Sequence, residues 1–245
     1  MSLTAEKIRS ADELQALVAE GNAEFEAIAA SGKEATAEQV IAWVANNFSA
    51  DAIAVACSMA DAVLPHIVST QIENVDVLFL ETGYHFAETH ATRNEVARAL
   101  PIRVVDVLPK QTVAEQDAQY GEKLWSRDPN LCCALRKVNP LHDSLKNYEL
   151  WFTGVRREEA TTRANTPLLT WDEKNGLIKV NPVAAWTFDE LIDYATEHKV
   201  PVNLLLSNGY PSIGCEPCTK PVAEGEDPRS GRWAGANKTE CGLHI

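Results

Sequence analysis

"DAIAVAC" (residues 51–57) is a short apolar run that gives way to small and polar residues. Four to eight apolar residues bounded by turn signals read as a buried strand. Ahead of it, Ala37 to Phe48 carries Val40, Ile41, Val44 and Phe48 at helical spacing, and Thr36 with Gln39 makes a capping box at the start. Behind it, "VDVLFL" (75–80) reads as a second buried strand. Glu88 to Leu100 predicts a helix stopped by Pro101, "IRVVDVL" (102–108) a third strand and "YELWFT" (148–153) a fourth. Thr187 and Glu190 cap a further helix, running to about Lys199 before Pro201. Strands alternating with helices predict an α/β fold, a mainly parallel sheet flanked by helices. In such sheets ligands gather beyond the carboxyl ends of the strands. The segments placed there are "SMADA", "ETGYHFAETH" and "GVRREEATTR".

The composition bounds what this fold can serve. Of 245 residues, 45% are hydrophobic and 23% charged, enough to bury a sizeable core. A formal net charge of −13 argues against general nucleic-acid binding, which needs a basic face. An anionic small substrate would need a local basic pocket. The first fifty residues set Lys7, Arg9 and Lys33 against eight acids and read as a solvated helical face. The opening "MSLTAEKIRSADELQALVAE" has no apolar core of a secretory signal, and no run is long enough to cross a bilayer. The expectation is a soluble, cytoplasmic protein with reduced thiols, not membrane-bound. The last 30 or so residues are rich in Gly, Pro and charge. Residues 1–218 are therefore expected to form one α/β domain, and 219–245 a loop or mobile tail. A homo-oligomer is compatible with all of this.

The chain has six cysteines. Cys57 shares the alternating apolar face of Ile53 and Val55, which predicts a small buried hydrophobe. "NLCCALRK" supplies Cys132 and Cys133, and "IGCEPCTK" supplies Cys215 and Cys218. A C-x-x-C alone is ambiguous between redox disulfide, zinc and cluster. With a second pair far away, it suggests four thiolates on one centre. Zinc wants its ligands at tetrahedral vertices around one atom, which adjacent cysteines rarely supply without strain. A [4Fe–4S] cubane offers four separate corners, so the cluster is favoured while zinc and disulfide stay open. Lys137, four residues past Cys133, is a surface lysine or a cation near the cluster and an anionic substrate. Cys241, in "ECGLHI", is then an accidental thiol or a nucleophile carried into a site by a closing segment. His244 or an arginine could stabilise its thiolate.

Arginines follow the fourth strand at Arg156, Arg157 and Arg163, and stand at Arg229 and Arg232 in "EDPRSGRW". Guanidinium matches phosphate or sulfate oxygens in a bidentate way. The plain alternative is surface ion pairing with Glu158, Glu159 and Asp227. The six histidines form no metal-spaced set. His85 and Glu88 fall in a loop leading to a helix; His66, His90, His142 and His198 read as surface or capping residues. No G-x-S-x-G, H-E-x-x-H or G-x-G-x-x-G occurs.

"LETGYHFAET", "CCALRKVNPL", "WFTGVRREEATTR", "VPVNLLLSNGYPSIGCEPCTKPV", "GEDPRSGRW" and "ECGLH" occur in this order. Together they resemble the assimilatory adenylyl-sulfate (APS) reductases, close relatives of the phosphoadenylyl-sulfate (PAPS) reductases, over roughly residues 40 to 245. The resemblance implies an adenine-nucleotide α-hydrolase-like fold and thiol-dependent reduction of adenosine 5'-phosphosulfate to sulfite and AMP. It implies Cys241 as nucleophile, with Cys132, Cys133, Cys215 and Cys218 as ligands of a [4Fe–4S] cluster. Lys137 matches a lysine near that cluster. Arg229 and Arg232 match arginines that hold the substrate's anionic groups, and Arg156, Arg157 and Arg163 fall in the other basic motif. Thioredoxin or a similar dithiol protein is the implied reductant. Four cluster ligands favour APS over PAPS, because cluster-free PAPS reductases lack the paired motifs.

Two stretches depart from the family. "VACSMADAVL" lacks the glycine of the usual Ser-Gly nucleotide loop, leaving Ser58 and Asp61 to fill parts of its role. "WAGANK", after Arg232, lacks the aromatics many relatives carry. Besides PAPS reduction, the rivals are an ATP pyrophosphatase or thiolation enzyme on a similar fold and a non-enzymatic metal-binding module. The first wants an S-G-G-x-D-S loop that is missing; both leave "ECGLH" without a purpose.

Overall fold

The computed structural model describes residues 9–223, 225–233, 238 and 240–243. The amino-terminal helices are α1 (Ala11–Ala29) and α2 (Ala37–Asn47), each opened by a capping box, Ser10 with Glu13 and Thr36 with Gln39. Then come β1 (Ile53–Ala56), α3 (Val63–Ser69), β2 (Asp76–Leu80), α4 (Ala87–Ala99) and β3 (Arg103–Val107). The middle of the chain forms α5 (Val113–Tyr120), the short α6 (Leu124–Arg127) and α7 (Pro129–Cys133), then α8 (Asn139–Leu145) and β4 (Leu150–Phe152). A hairpin of β5 (Leu169–Asp172) and β6 (Leu177–Val180) precedes α9 (Phe188–Glu197), whose capping box is Thr187 with Glu190.

The strands form one six-stranded sheet in the order β3-β2-β1-β4-β6-β5. All pairs are parallel except β5 with β6. The mainly parallel α/β sheet expected from the sequence is therefore present. Alternation sorts the strand side chains onto two faces. Ile53, Val55, Val77, Phe79, Leu150 and Phe152 join a large core with α1, α2, α3, α4 and α9. Ala54, Leu78, Trp151 and Leu177 face the other way and pack with Leu141 and Leu145 of α8.

Two features lie outside the sequence expectation. The β5–β6 hairpin was not anticipated, although Asn175-Gly176 is a hairpin-turn signal and Gly176 sits at φ +68°. The amino-terminal helix is not solvated all round, since α1 buries Leu14, Val18, Gly21 and Phe25. At Gly21 a Cβ would stand 2.6 Å from a methyl of Leu169 and 2.7 Å from the Trp43 ring, so the helix approaches the edge hairpin through that glycine. Gly21→Val is expected to destabilise the fold by about 1–3 kcal/mol, as overpacking does. Its urea midpoint should fall, and an unchanged midpoint would show that α1 does not bear on the sheet.

Candidate active site

β1 pairs with β2 on one side and with β4 on the other, so the strand order reverses at β1. Connections leave that point in opposite directions and open a crevice beyond the carboxyl ends. The loop after β1 and the segment after β4 frame it. Ser58, Asp61, Arg156 and Arg163 line this cleft, together with Lys137, Arg229, Arg232 and Cys241 from distant parts of the chain.

The β1 loop turns without glycine. Met59 takes the left-handed region at φ 59°, which costs a non-glycine residue about 1–2 kcal/mol. Its side chain is wholly buried, which offsets the strain. Asn203 holds the loop, donating from Nδ2 to the Met59 carbonyl at 3.1 Å and from its backbone N–H to that of Ala60 at 3.0 Å. Cys57 packs against the large core, receives the Met59 N–H at 3.4 Å and donates to the Asp61 carbonyl at 3.3 Å. Burial, then the Asp61 carboxylate, pushes its thiol up to about 12. It is a protonated side chain on the cleft wall.

The other cysteines come from two short elements. Asp128 accepts the Leu131 N–H at 2.9 Å and Pro129 starts α7, a rigid entry that ends in Cys132 and Cys133. The chain continues as a π turn, Ala134–Val138, of the kind that re-aims side chains at functional sites. Cys215 precedes a single 3₁₀ turn, Glu216–Cys218, and Cys218 ends it. That turn is pinned by the Glu216 N–H on the Tyr84 carbonyl at 2.7 Å and by the Trp233 N–H on the Cys218 carbonyl at 2.9 Å. All four cysteines line a second, smaller cavity. Lys137, Arg232 and Trp233 line both cavities and so form the wall between them.

The thiols differ in their surroundings. Burial and the three neighbouring cysteines push Cys132 up to about 12; burial and then Cys215 and Cys133 push Cys218 up to about 11. Burial also raises Cys133, against Lys137. At Cys215 burial again pulls upward, but Lys137 and the Thr82 hydroxyl, 3.4 Å away, bring the thiol below its ordinary value. Lys137 is held above its ordinary value: burial works against its charge, and Cys215, Cys241 and Cys133 outweigh it. Among the described residues no three His, Cys, Asp or Glu side chains are grouped closely enough for one metal ion.

The arginines separate into distinct roles. Arg157 turns away from the cleft and gives both terminal nitrogens to Glu34, at 2.8 and 2.7 Å. Arg156 lines the cleft; its Nε lies 3.7 Å from Glu158 and Nη2 3.7 Å from Glu159, and among the described residues the buried Nε has no hydrogen-bond partner. Arg232 donates to the Ser212 hydroxyl at 3.2 Å and the Ile213 carbonyl at 3.3 Å, and its buried Nε has no hydrogen-bond partner among the described residues. Burial and the neighbouring Arg229 pull Arg232 below its ordinary value. Arg163 and Arg229 both hold Glu240, the residue before Cys241. Glu240, Thr162, Leu243 and the wall residue Trp233 were not singled out from sequence. Beyond Cys241, Gly242 takes φ +85°, its carbonyl accepts from Lys174 Nζ at 2.8 Å, and Leu243 packs on the α8 side of the sheet. His244 and residues 234–237 lie outside the described residues.

Such a cleft, at the crossover of a parallel sheet and with a thiol brought in among cations, defines a nucleotide-type α/β enzyme. The chain belongs to the phosphoadenosine phosphosulfate reductase domain family, whose description matches residues 52–221. It is 51% identical over 236 residues to the adenosine 5'-phosphosulfate reductase of Streptomyces coelicolor, covering 96% of this chain and 97% of that protein. The enzyme of the same name from Mycolicibacterium smegmatis is 50% identical over 234 residues, covering 96% of each. Among solved structures, a phosphoadenylyl-sulfate reductase from Candida auris superposes with a TM-score of 0.64 at 26% identity, over 77% of this chain and 91% of that one. Candida glabrata FMN adenylyltransferase shares the fold alone, with a TM-score of 0.56 at 11% identity, over 84% of this chain and 72% of that one. The fold is the adenine-nucleotide α-hydrolase-like one.

Because the Cys57 thiol lies near 12, its iodoacetamide labelling should be very slow at pH 7.5. Thiolate rises about tenfold per pH unit below the pKa, so labelling should climb in that proportion up to pH 9.5. Peptide mapping after timed exposure measures this; a plateau below pH 9 would show an acidic, reactive thiol instead.

Proposed function

We propose that this protein reduces adenosine 5'-phosphosulfate to sulfite and AMP, with Cys241 as nucleophile. The observation that carries the reading is the presence of Cys241 in the same cleft as Lys137, Arg229 and Arg232. Residues 1–218 serve as the catalytic body and 219–245 as a tail that brings the thiol.

The nucleotide lies beyond β1 and β4, with Ser58 in the loop that borders it and its phosphate and sulfate turned toward Lys137 and Arg232. The Cys241 thiolate attacks the sulfuryl sulfur. An S–S bond forms, the bond from sulfur to the phosphate oxygen breaks, and its electron pair leaves with AMP. Cations beside that oxygen stabilise the developing charge. Arg156, whose Nε makes no hydrogen bond among the described residues and only a 3.7 Å ion pair with Glu158, adds a cation on the same cleft. The product is Cys241 S-sulfonate. A dithiol protein, thioredoxin or a similar one, then attacks the Cys241 sulfur. The S–S bond breaks, sulfite leaves with the electron pair, and the second thiol of the reductant resolves the mixed disulfide. The reductant supplies the two electrons that the sulfate sulfur gains. One sulfur must therefore meet a sheltered substrate and then a protein, which requires a tail with two positions.

The second cavity suits a [4Fe–4S] cluster. Among the described residues its wall presents four cysteines and no carboxylate or imidazole, an all-thiolate donor set of the kind that binds a cluster through four separate corners. Cys132, Cys133, Cys215 and Cys218 would hold it. When bound, it would tie α7 to the turn at Glu216–Cys218 and shape the charge felt beyond the wall.

Incubation with APS should add one SO₃ to Cys241, read by intact mass and peptide mapping. Cys241→Ser should carry no adduct and no turnover while keeping its iron; turnover by that variant would remove Cys241 from the mechanism. Cys218→Ser should lose iron and acid-labile sulfide, whereas zinc without sulfide in anaerobic wild-type protein would overturn the cluster. Side-by-side rates with PAPS distinguish the two sulfonucleotides.

The arginines give a separate contrast. Arg232→Ala should lower kcat/KM for APS about 10- to 100-fold, the loss of a charge-assisted contact. Arg157→Ala, which removes an exposed pair with Glu34, should stay within about threefold. Equal losses in both variants would contradict the placement of Arg157 outside the cleft.

A further inference from the structure

Cys241 sits between two residues that anchor it in different ways. Glu240, before it, accepts from Arg163 Nε at 2.9 Å and Nη2 at 2.8 Å, a bidentate grip. Arg229 Nη2 adds a third contact at 3.1 Å and the Thr162 hydroxyl a longer one at 3.4 Å. The carboxylate is almost out of solvent, with 7% of its side chain exposed against 11% for Arg163 and 14% for Arg229. Burial disfavours the charged acid, yet the two arginines hold it below its ordinary value. Arg163 is oriented in turn by Glu159 at 2.6 Å. Leu243, after the thiol, packs against the apolar cluster on the α8 side of the sheet. Gly242 makes the turn between them in a left-handed conformation that favours glycine.

We infer that Glu240 and Leu243 form a two-point latch that sets the Cys241 thiol in the cleft, Glu240 acting as a positioning residue through Arg163 and Arg229. The inference rests on the proposed role of Cys241 as nucleophile. It also divides the cations of the cleft. With Glu240 seated, Arg163 and Arg229 serve the tail, and Lys137 and Arg232 are left to face the anionic groups of the substrate. Loss of the latch therefore acts on the approach of the thiol rather than on the hold on the nucleotide.

The test uses full-length, cluster-loaded protein. Glu240→Gln keeps the shape of the side chain and removes its charge. Its S-sulfonate formation at saturating APS should slow at least tenfold in single turnover. APS affinity, compared between Cys241→Ser and the Glu240→Gln/Cys241→Ser double variant, should stay within about twofold. Iodoacetamide labelling of Cys241 should become several-fold faster without substrate, since the thiol spends more time out of the cleft. Leu243→Ala should move rate and labelling in the same directions. Unchanged labelling, or a fall in affinity as large as the fall in rate, overturns the latch. If wild-type protein itself takes up no SO₃ at Cys241, the nucleophile reading fails, and the labelling comparison still decides the latch by itself.

Discussion

The wall between the two cavities is a pair of sheltered cations, Lys137 and Arg232, and the surrounding architecture compensates them. A charge held away from bulk water is costly unless opposite charge or hydrogen bonds stand close to it. Lys137 meets that requirement through the cysteine sulfurs, which keep it charged against its own burial. Arg232 meets it only in part, for its buried Nε makes no hydrogen bond among the described residues and Arg229 repels it. A wall of this kind attracts negative charge from both sides. Thiolates suit one side, and a sulfate or phosphate suits the other. In a chain of net charge −13, this concentration of positive charge is local and costly to maintain.

The fold supplies the place where such a wall can stand. Reversal of strand order at β1 leaves a crevice that no strand fills. The π turn after Cys133 carries Lys137 to the boundary, and the turn bearing Cys215 and Cys218 closes from the opposite side. Arg232 reaches the boundary through a backbone bridge to Thr219 and a Trp233 N–H bond to Cys218. The cleft and the cysteine cavity are thus built from the same loops, so disturbing one wall disturbs both.

Periodicity and caps made most of the fold legible. Strands at 75–80 and 102–108, and helices opened by Thr36 and Thr187, depend on local sequence and appear within a residue or two of expectation. Strand order is a non-local property, so neither the reversal at β1 nor the addition of the β5–β6 hairpin could be read from any one segment. The cysteines were legible because thiols in paired spacing have few uses. Adjacent arginines were not separable in that way. Arg156 has extended backbone, at φ −113° and ψ 144°, where successive side chains point to opposite sides. One therefore enters the cleft while its neighbour meets Glu34, 123 residues away in sequence. Glu240 escaped notice for a similar reason: the acids weighed against the arginines were their sequence neighbours, and although Glu159 does pair with Arg163, the carboxylate that takes both its Nε and Nη2 lies 77 residues off.

On the proposed mechanism, a tail that seats a thiol and then releases it is limited in the kind of contact it can use. A larger apolar anchor would hold Cys241 equally well before and after the first chemical step. Leu243 is accordingly only partly buried. An ionic grip responds to charge. On the proposed role of Cys241, its S-sulfonate would place a new anion one residue from Glu240 and the arginines that hold it. An ionic grip weakened in that way would loosen the tail when the sulfur has to meet a reductant. Differential affinity of this sort is what shifts a two-position equilibrium, whereas an anchor indifferent to the reaction shifts nothing. On the proposed role of Cys241, the carboxylate beside it, held by two arginines, gives the tail a contact whose strength responds to charge.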